Sequence, residues 1–272
     1  ASVFGPYVNH NHYAGLMEML APLALAAAWL EKGGKRTLLF FAGLVMVASV
    51  VVSRSRGGVL AIAAGLIFAC AIVFRSQRTQ RSLIGFLLIC AVLVGLVFAF
   101  ASDKTLDRFK DSTDMYRWSI YRDSVRMFVH KPVFGFGIGT FEQNYPKYQS
   151  FGSDLAVNHA HNDYLEFLVE TGAIGFGLLV WFVACVFRSA RLKFREKHDV
   201  EGRLLTLGAL TGIVCLLVHG FLDFNLQIPA NAAMFVALCS VVATPFRRRI
   251  RYVQAPVTGE HEEFGLGNDD EL

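Results

Sequence analysis

Long apolar runs separated by short charged or polar loops constrain this chain more than any single motif does. A helix needs about 20 apolar residues to cross about 30 Å of hydrocarbon. Runs of that order fall at 13–30, 37–52, 57–74, 83–101, 164–187, 204–222 and 229–244. With 54% hydrophobic residues and a mean hydropathy of +0.44, the chain is too apolar for an ordinary soluble domain. The sequence predicts an all-α polytopic membrane protein with about seven spans. The membrane domain is expected over 1–252, with one long polar loop at 102–163. A tail at 253–272, acidic through Glu260, Glu262, Glu263, Asp269, Asp270 and Glu271, is expected to be disordered. Residues 1–12 have neither a charged n-region nor an apolar h-region. They read as a loop and not a signal peptide, with further helices expected upstream.

The loops alternate in charge. Lys32, Lys35 and Arg36; Arg75, Arg78 and Arg81; Arg188, Arg191, Lys193, Arg195, Lys197 and Arg203; and Arg247, Arg248, Arg249 and Arg251 form four basic groups. Basic loops mark the cytoplasmic side, so parity turns 1–12, 53–56, 102–163 and 223–228 to the opposite face. The net charge of +4 is then a signal of topology, and it makes no case for nucleic acid. Cys70, Cys90, Cys185, Cys215 and Cys239 lie inside apolar runs without metal-ligand spacing. They read as small packing residues.

The polar motifs collect on the non-cytoplasmic loops. Arg54 and Arg56, in Ser53-Arg54-Ser55-Arg56-Gly57-Gly58, stand where topology disfavours positive charge. They call for an anionic partner such as phosphate, or else they snorkel to lipid headgroups. From Arg117 to Phe128, Trp118, Tyr121, Val125 and Phe128 recur at helical spacing, which predicts an amphipathic helix at the membrane surface. The run Gly135-x-Gly137-x-Gly139 lacks the strand-then-helix setting of a dinucleotide fingerprint and reads as a flexible, membrane-hugging loop. No Walker motif is present, so nothing points to ATP.

The densest cluster is Asn158-His159-Ala160-His161-Asn162-Asp163-Tyr164, at the mouth of the fifth run. Asp163, Glu166 and Glu170 follow at i, i+3, i+7. One helix face then carries three carboxylates, which are expected to pair with arginines or line a water-filled cavity. His219 and Asp223 repeat the theme at i, i+4, and Glu18 lies early in the first run. For each of these, a structural polar contact competes with a catalytic role. His10 and His12, with His159 and His161, form two His-x-His pairs. They could collect a metal, but the set is split between loops and has no tight ligand spacing, so no metal site is assigned.

Several segments together resemble the O-antigen ligase and O-antigen polymerase superfamily of bacterial inner-membrane proteins. They are Asn9-His10-Asn11-His12-Tyr13-Ala14-Gly15, the Ser53–Gly58 motif, Arg117 with Pro132 and the glycine run, His159 to Leu165, and His219-Gly220-Phe221-Leu222-Asp223-Phe224. Arg56 is followed after three residues by Leu60, and His161 after ten residues by Gly172, both matching ligase patterns. The resemblance implies a GT-C-type helical glycosyltransferase with its site facing the periplasm and with neither metal nor other cofactor. Arg56 and Arg117 would hold the pyrophosphate of an undecaprenyl-linked glycan donor, and His161 would activate or orient the acceptor hydroxyl. Arg54, His159, Asn162, Asp163, His10, His12, His219 and Asp223 would help bind substrate. Partners are the lipid-linked donor, a lipid A-core or other glycan or protein acceptor, and membrane lipid. Ligase and polymerase share the donor chemistry, so both stay open. A solute transporter with intramembrane carboxylates and a scaffold for envelope assembly are the rivals from other classes.

Overall fold

The computed structural model describes residue 5 and residues 7–77, 112–152, 156–196 and 198–245. The expected span 83–101, Cys90, residues 102–111 of the long loop and the acidic tail lie outside the described residues. The described chain is helical: α1 (His10–Leu30), α2 (Gly33–Val52), α3 (Arg56–Gln77), α4 (Ser112–His130), α5 (Phe141–Asn144), α6 (Asp163–Arg195), α7 (Val200–His219) and α8 (Pro229–Ala243). Short 3-10 turns stand at Tyr145–Lys147 and Asn225–Gln227. Of these helices, α1, α2, α3, α6 and α7 are long and apolar enough to cross a membrane, and α8 is a shorter apolar helix. The protein is a polytopic membrane protein. Leu38, Phe41, Leu178, Trp181 and Phe182 stay exposed on the outside of the bundle, which suits lipid as the solvent.

The helix α7 is the hub. It packs against α1, α3, α6 and α8, and Met19, Leu210, Ile213, Leu216, Phe235 and Leu238 form the core around it. Small residues let the backbones approach: a Cβ on Gly212 would stand 2.4 Å from the Met19 carbonyl oxygen. Of the basic residues expected in the α6–α7 loop region, Lys193 is buried and its Nζ donates to the Val241 carbonyl. It ties α6 to α8 instead of facing water.

The helix α6 runs from Asp163 to Arg195, longer than the expected 164–187, because it is two helices joined at a break. Gly172 has φ 66° and ψ −170°. That left-handed backbone suits glycine, and a Cβ there would lie 2.3 Å from the Val133 carbonyl oxygen. The glycine run docks into the break. Phe136 and Gly137 N–H donate to the carbonyls of Val169 (3.0 Å) and Glu170 (2.9 Å), while Ala173 and Ile174 N–H donate to those of Pro132 (2.8 Å) and Val133 (3.3 Å). The loop expected to be flexible is therefore fastened by main-chain bonds, with Gly135, Gly137 and Gly139 all at positive φ. Residues 173–195 alone measure about 34 Å, enough to span, so 163–171 project as an outer half-helix.

Against that outer half packs a second core of Ile120, Met127, Phe141, Tyr145, Ala160 and Val169. The helix α4 has two faces. Ile120, Asp123, Ser124 and Met127 are buried against the second core, while Trp118 is 80% exposed and Val125 is exposed too. Asp123 can sit on the buried face because its carboxylate accepts from Tyr145 Oη and from Ser150 N and Oγ.

The break supplies a direct test. Gly172→Ala should destabilise the protein by on the order of 2 kcal/mol or more, from backbone strain and the clash with the docked loop. Gly177→Ala, where an added Cβ meets open space, should be neutral or slightly stabilising. Thermal unfolding of the two variants in detergent decides it, and equal melting temperatures would contradict the docked-loop account.

Candidate active site at the outer end of the bundle

The helix α6 begins in an N-cap. Asn162 is extended, and its Oδ1 accepts from Tyr164 N and Leu165 N. Its Nδ2 donates to the Phe221 carbonyl at 3.2 Å. Just before it, His161 takes φ 52°, a left-handed conformation uncommon outside glycine but tolerated by histidine. Three contacts hold His161 there. Its carbonyl accepts from Tyr121 Oη at 3.1 Å, its Nδ1 lies 3.3 Å from Asp223 Oδ1, and its ring meets the Phe224 ring edge to face at 5.1 Å.

Asp223 is buried, and its second oxygen accepts from Asn11 Nδ2 at 2.6 Å. Burial works against ionising it, but the His161 bond, the nearby His12 and the Phe224 N–H outweigh that penalty and hold its pKa below the usual carboxylate range. A carboxylate only accepts, so the contact has Nδ1 as donor and leaves Nε2 on the side of the ring away from Asp223. The His161 side chain is 25% exposed, so the ring is both anchored and reachable.

His159 is fixed differently. Its Nδ1 lies 2.7 Å from Glu166 Oε1, the other Glu166 oxygen accepts from Ala160 N at 2.8 Å, and the ring stacks on Phe224 at 4.0 Å. Burial disfavours the imidazolium, but the Glu166 contact reverses the balance and raises the His159 pKa above its ordinary value. His12, buried at the start of α1, meets the same Phe224 ring at 4.6 Å. Three imidazoles thus converge on one aromatic ring and not on a shared point. Among the described residues no three His, Cys, Asp or Glu groups are placed to hold a metal ion. His10 is half-buried at the first position of α1.

The three-carboxylate face is buried, yet among the described residues its partners are not arginines. Asp163 accepts from Leu226 N, Glu166 holds His159, and Glu170 accepts from Phe141 N at 3.1 Å. These carboxylates fasten loops onto the outer half of α6. His219 lies 3.1 Å from both oxygens of Glu18, and both side chains are buried. A Cβ on Gly57 would stand 2.6 Å from His219 Nε2, so only glycine lets the start of α3 approach that ring. Arg56 therefore opens α3 against the end of α7, four residues before Asp223. Arg54 and Arg56 are exposed, with Arg54 at φ 60°. Arg117 comes from the opposite side, its Nη1 donating to the Leu222 carbonyl at 3.3 Å.

Residues 41–180 match the family described as O-antigen ligase. The chain belongs to the O-antigen ligase family. It is also 26% identical, over 97% of its own length, to the exopolysaccharide production protein ExoQ of Rhizobium meliloti (strain 1021), and it spans 64% of that relative's length. In this family member, the segments that carried the resemblance meet at one end of the bundle. Asn11, Tyr121, Glu166 and Phe224 escaped the sequence reading as partners in the cluster. Asn11 and Phe224 sit inside the recognised segments, but no spacing signals that an amide would reach a carboxylate 212 residues away.

The raised His159 pKa has a consequence for stability. A group whose folded pKa lies above its unfolded value of 6.5 contributes fully below that pH and loses its contribution as pH rises through the folded value. His159→Gln should therefore lower the melting temperature most near about pH 6, with the gap narrowing toward about pH 9. A gap that widens with pH would refute the His159–Glu166 ion pair.

Proposed function

We propose that this protein transfers a glycan from an undecaprenyl-pyrophosphate carrier to an acceptor hydroxyl at the periplasmic face of the bacterial inner membrane, as a GT-C-type enzyme. The observation that carries the reading is His161, pinned by a buried aspartate at Nδ1 with its Nε2 side left open, at the same end of the bundle as Arg54, Arg56 and Arg117. In the reaction, Nε2 takes the acceptor proton as its oxygen bonds to the anomeric carbon. The anomeric C–O bond to phosphate breaks, and undecaprenyl pyrophosphate leaves with the electron pair. Arg56 and Arg117, with Arg54, stabilise the growing charge on that leaving group. Neither metal nor ATP is required, since the donor is already activated.

Polymerisation, with a second lipid-linked glycan as acceptor, is the second reading. The similarity to a protein named for exopolysaccharide production favours it. Complementation of a ligase-null and of a polymerase-null strain by the full-length protein separates the two, with glycan attachment and chain length read independently. Transport is less well supported. Among the described helices only α6 is interrupted by non-helical backbone, whereas broken helices of transporters come in pairs.

Two variants test the roles. His161→Ala should lower turnover by about 10²–10⁴-fold, the usual contribution of a general base, with donor affinity little changed. Undiminished turnover by purified full-length protein on a lipid-linked donor would remove His161 from the chemistry, and inhibition by EDTA reversed by zinc would favour a metal at the histidines. Arg56→Lys should be nearly as damaging as Arg56→Ala, because an ammonium cannot reproduce a planar two-point contact with pyrophosphate. Full activity with lysine would reduce Arg56 to a generic charge.

A further inference from the structure

At the end of the bundle away from His161, a cavity of about 970 Å³ opens between α1, α3, α6 and α7. Its body is apolar, with Phe68, Ile72, Phe187, Leu204 and Leu207 among its walls. Its rim is basic. Arg75 lies on the last turn of α3, Arg188, Arg191 and Arg195 lie on the last turns of α6, and Arg203 lies on the first turns of α7. Among the described residues none that lines it is acidic. Arg203 is half-buried in the cavity wall, with its Nε closed off from the open space, so only its outer guanidinium nitrogens face a ligand.

We propose that this cavity binds an anionic two-chain phospholipid, its phosphate held by Arg188, Arg191 and Arg203 and its acyl chains laid along Phe68, Ile72 and Phe187. The chemistry is complementary at both ends. Guanidinium forks match a phosphate diester, and an apolar slot matches hydrocarbon. Basic pockets between membrane helices at the cytoplasmic surface take anionic headgroups in just this way, and the proposed orientation turns this end to the cytoplasm. A zwitterionic lipid would bring its own ammonium against five arginines. The site lies a full helix length from His161 and does not depend on the glycan-transfer reading.

Native mass spectrometry of the full-length protein tests the assignment, with equal amounts of phosphatidylglycerol and phosphatidylethanolamine supplied in detergent. The unaltered protein should retain the anionic lipid in about tenfold preference, following the usual attraction of juxtamembrane arginines for anionic headgroups. Arg188→Gln with Arg191→Gln should bring that preference to within about twofold. Arg122→Gln with Arg126→Gln, which removes the same charge from α4, should leave it unchanged. Ala184→Trp, which narrows the apolar slot without altering charge, should lower retention of both lipids while the melting temperature holds. Absence of a preference, equal losses in the two double variants, or unchanged retention in Ala184→Trp would overturn the proposal. So would a dimer that Ala184→Trp dissociates, because the cavity would then belong to a second copy of the chain.

Discussion

A helix broken within reach of hydrocarbon must have its freed amides and carbonyls taken up by protein, since lipid offers no hydrogen bonds. The break at Gly172 meets that demand with the loop from Pro132 to Gly137, which supplies carbonyls to the amides below the break and takes carbonyls from above it. Much of the outer end follows. Docking the loop places Phe141 and Tyr145 against Val169, and this second core orients α4. From α4, Tyr121 reaches the His161 carbonyl and Arg117 reaches Leu222. The two groups proposed to act on donor and acceptor are thus referenced to one backbone junction.

Three imidazole–carboxylate pairs complete the arrangement, and they differ in what they join. Glu18 with His219 links α1 to α7, His161 with Asp223 links the α6 entrance to the α7 exit, and His159 with Glu166 closes the loop onto its own helix. Buried polar pairs in a low-dielectric setting add little net stability over apolar substitutes, while an unpaired polar group there is strongly destabilising. Their effect is to select one register. If α7 were displaced by a turn against α1, Glu18 and His219 would both be stranded in an apolar core, which makes the displaced packing costly.

The membrane character and most of the span positions were legible because hydrophobic periodicity and run length depend on local sequence alone. The glycine run and the carboxylate face were misread for one shared reason. Each is decided by a partner distant in the chain: Gly137 by Glu170, and Glu170 by Phe141. The cluster at His161 was visible as a density of polar residues at a helix mouth, yet the sequence could not tell its enclosed groups from its accessible ones. Burial draws that line. Asp223, Glu166 and Asp163 are enclosed and spend their oxygens on protein donors, whereas Arg54 and Arg56 are exposed and His161 is partly so.

That division bears on how one scaffold could serve either ligase or polymerase chemistry. The enclosed groups set the position of His161 without reference to any acceptor, and in the proposed reaction an exposed Arg54–Arg56 turn would meet a pyrophosphate whatever glycan it carries. Exposed side chains such as Trp118, Phe134, Ile138 and Phe221 lie beyond the buried network, and under the proposed reaction acceptor choice would fall to them. Under the proposed reaction, the constant part of the chemistry is buried and the variable part is left to the rim. Substitutions at Asp223 or Asn11 should therefore alter rate for every acceptor alike, while substitutions at Trp118 or Phe221 should alter the ranking among acceptors.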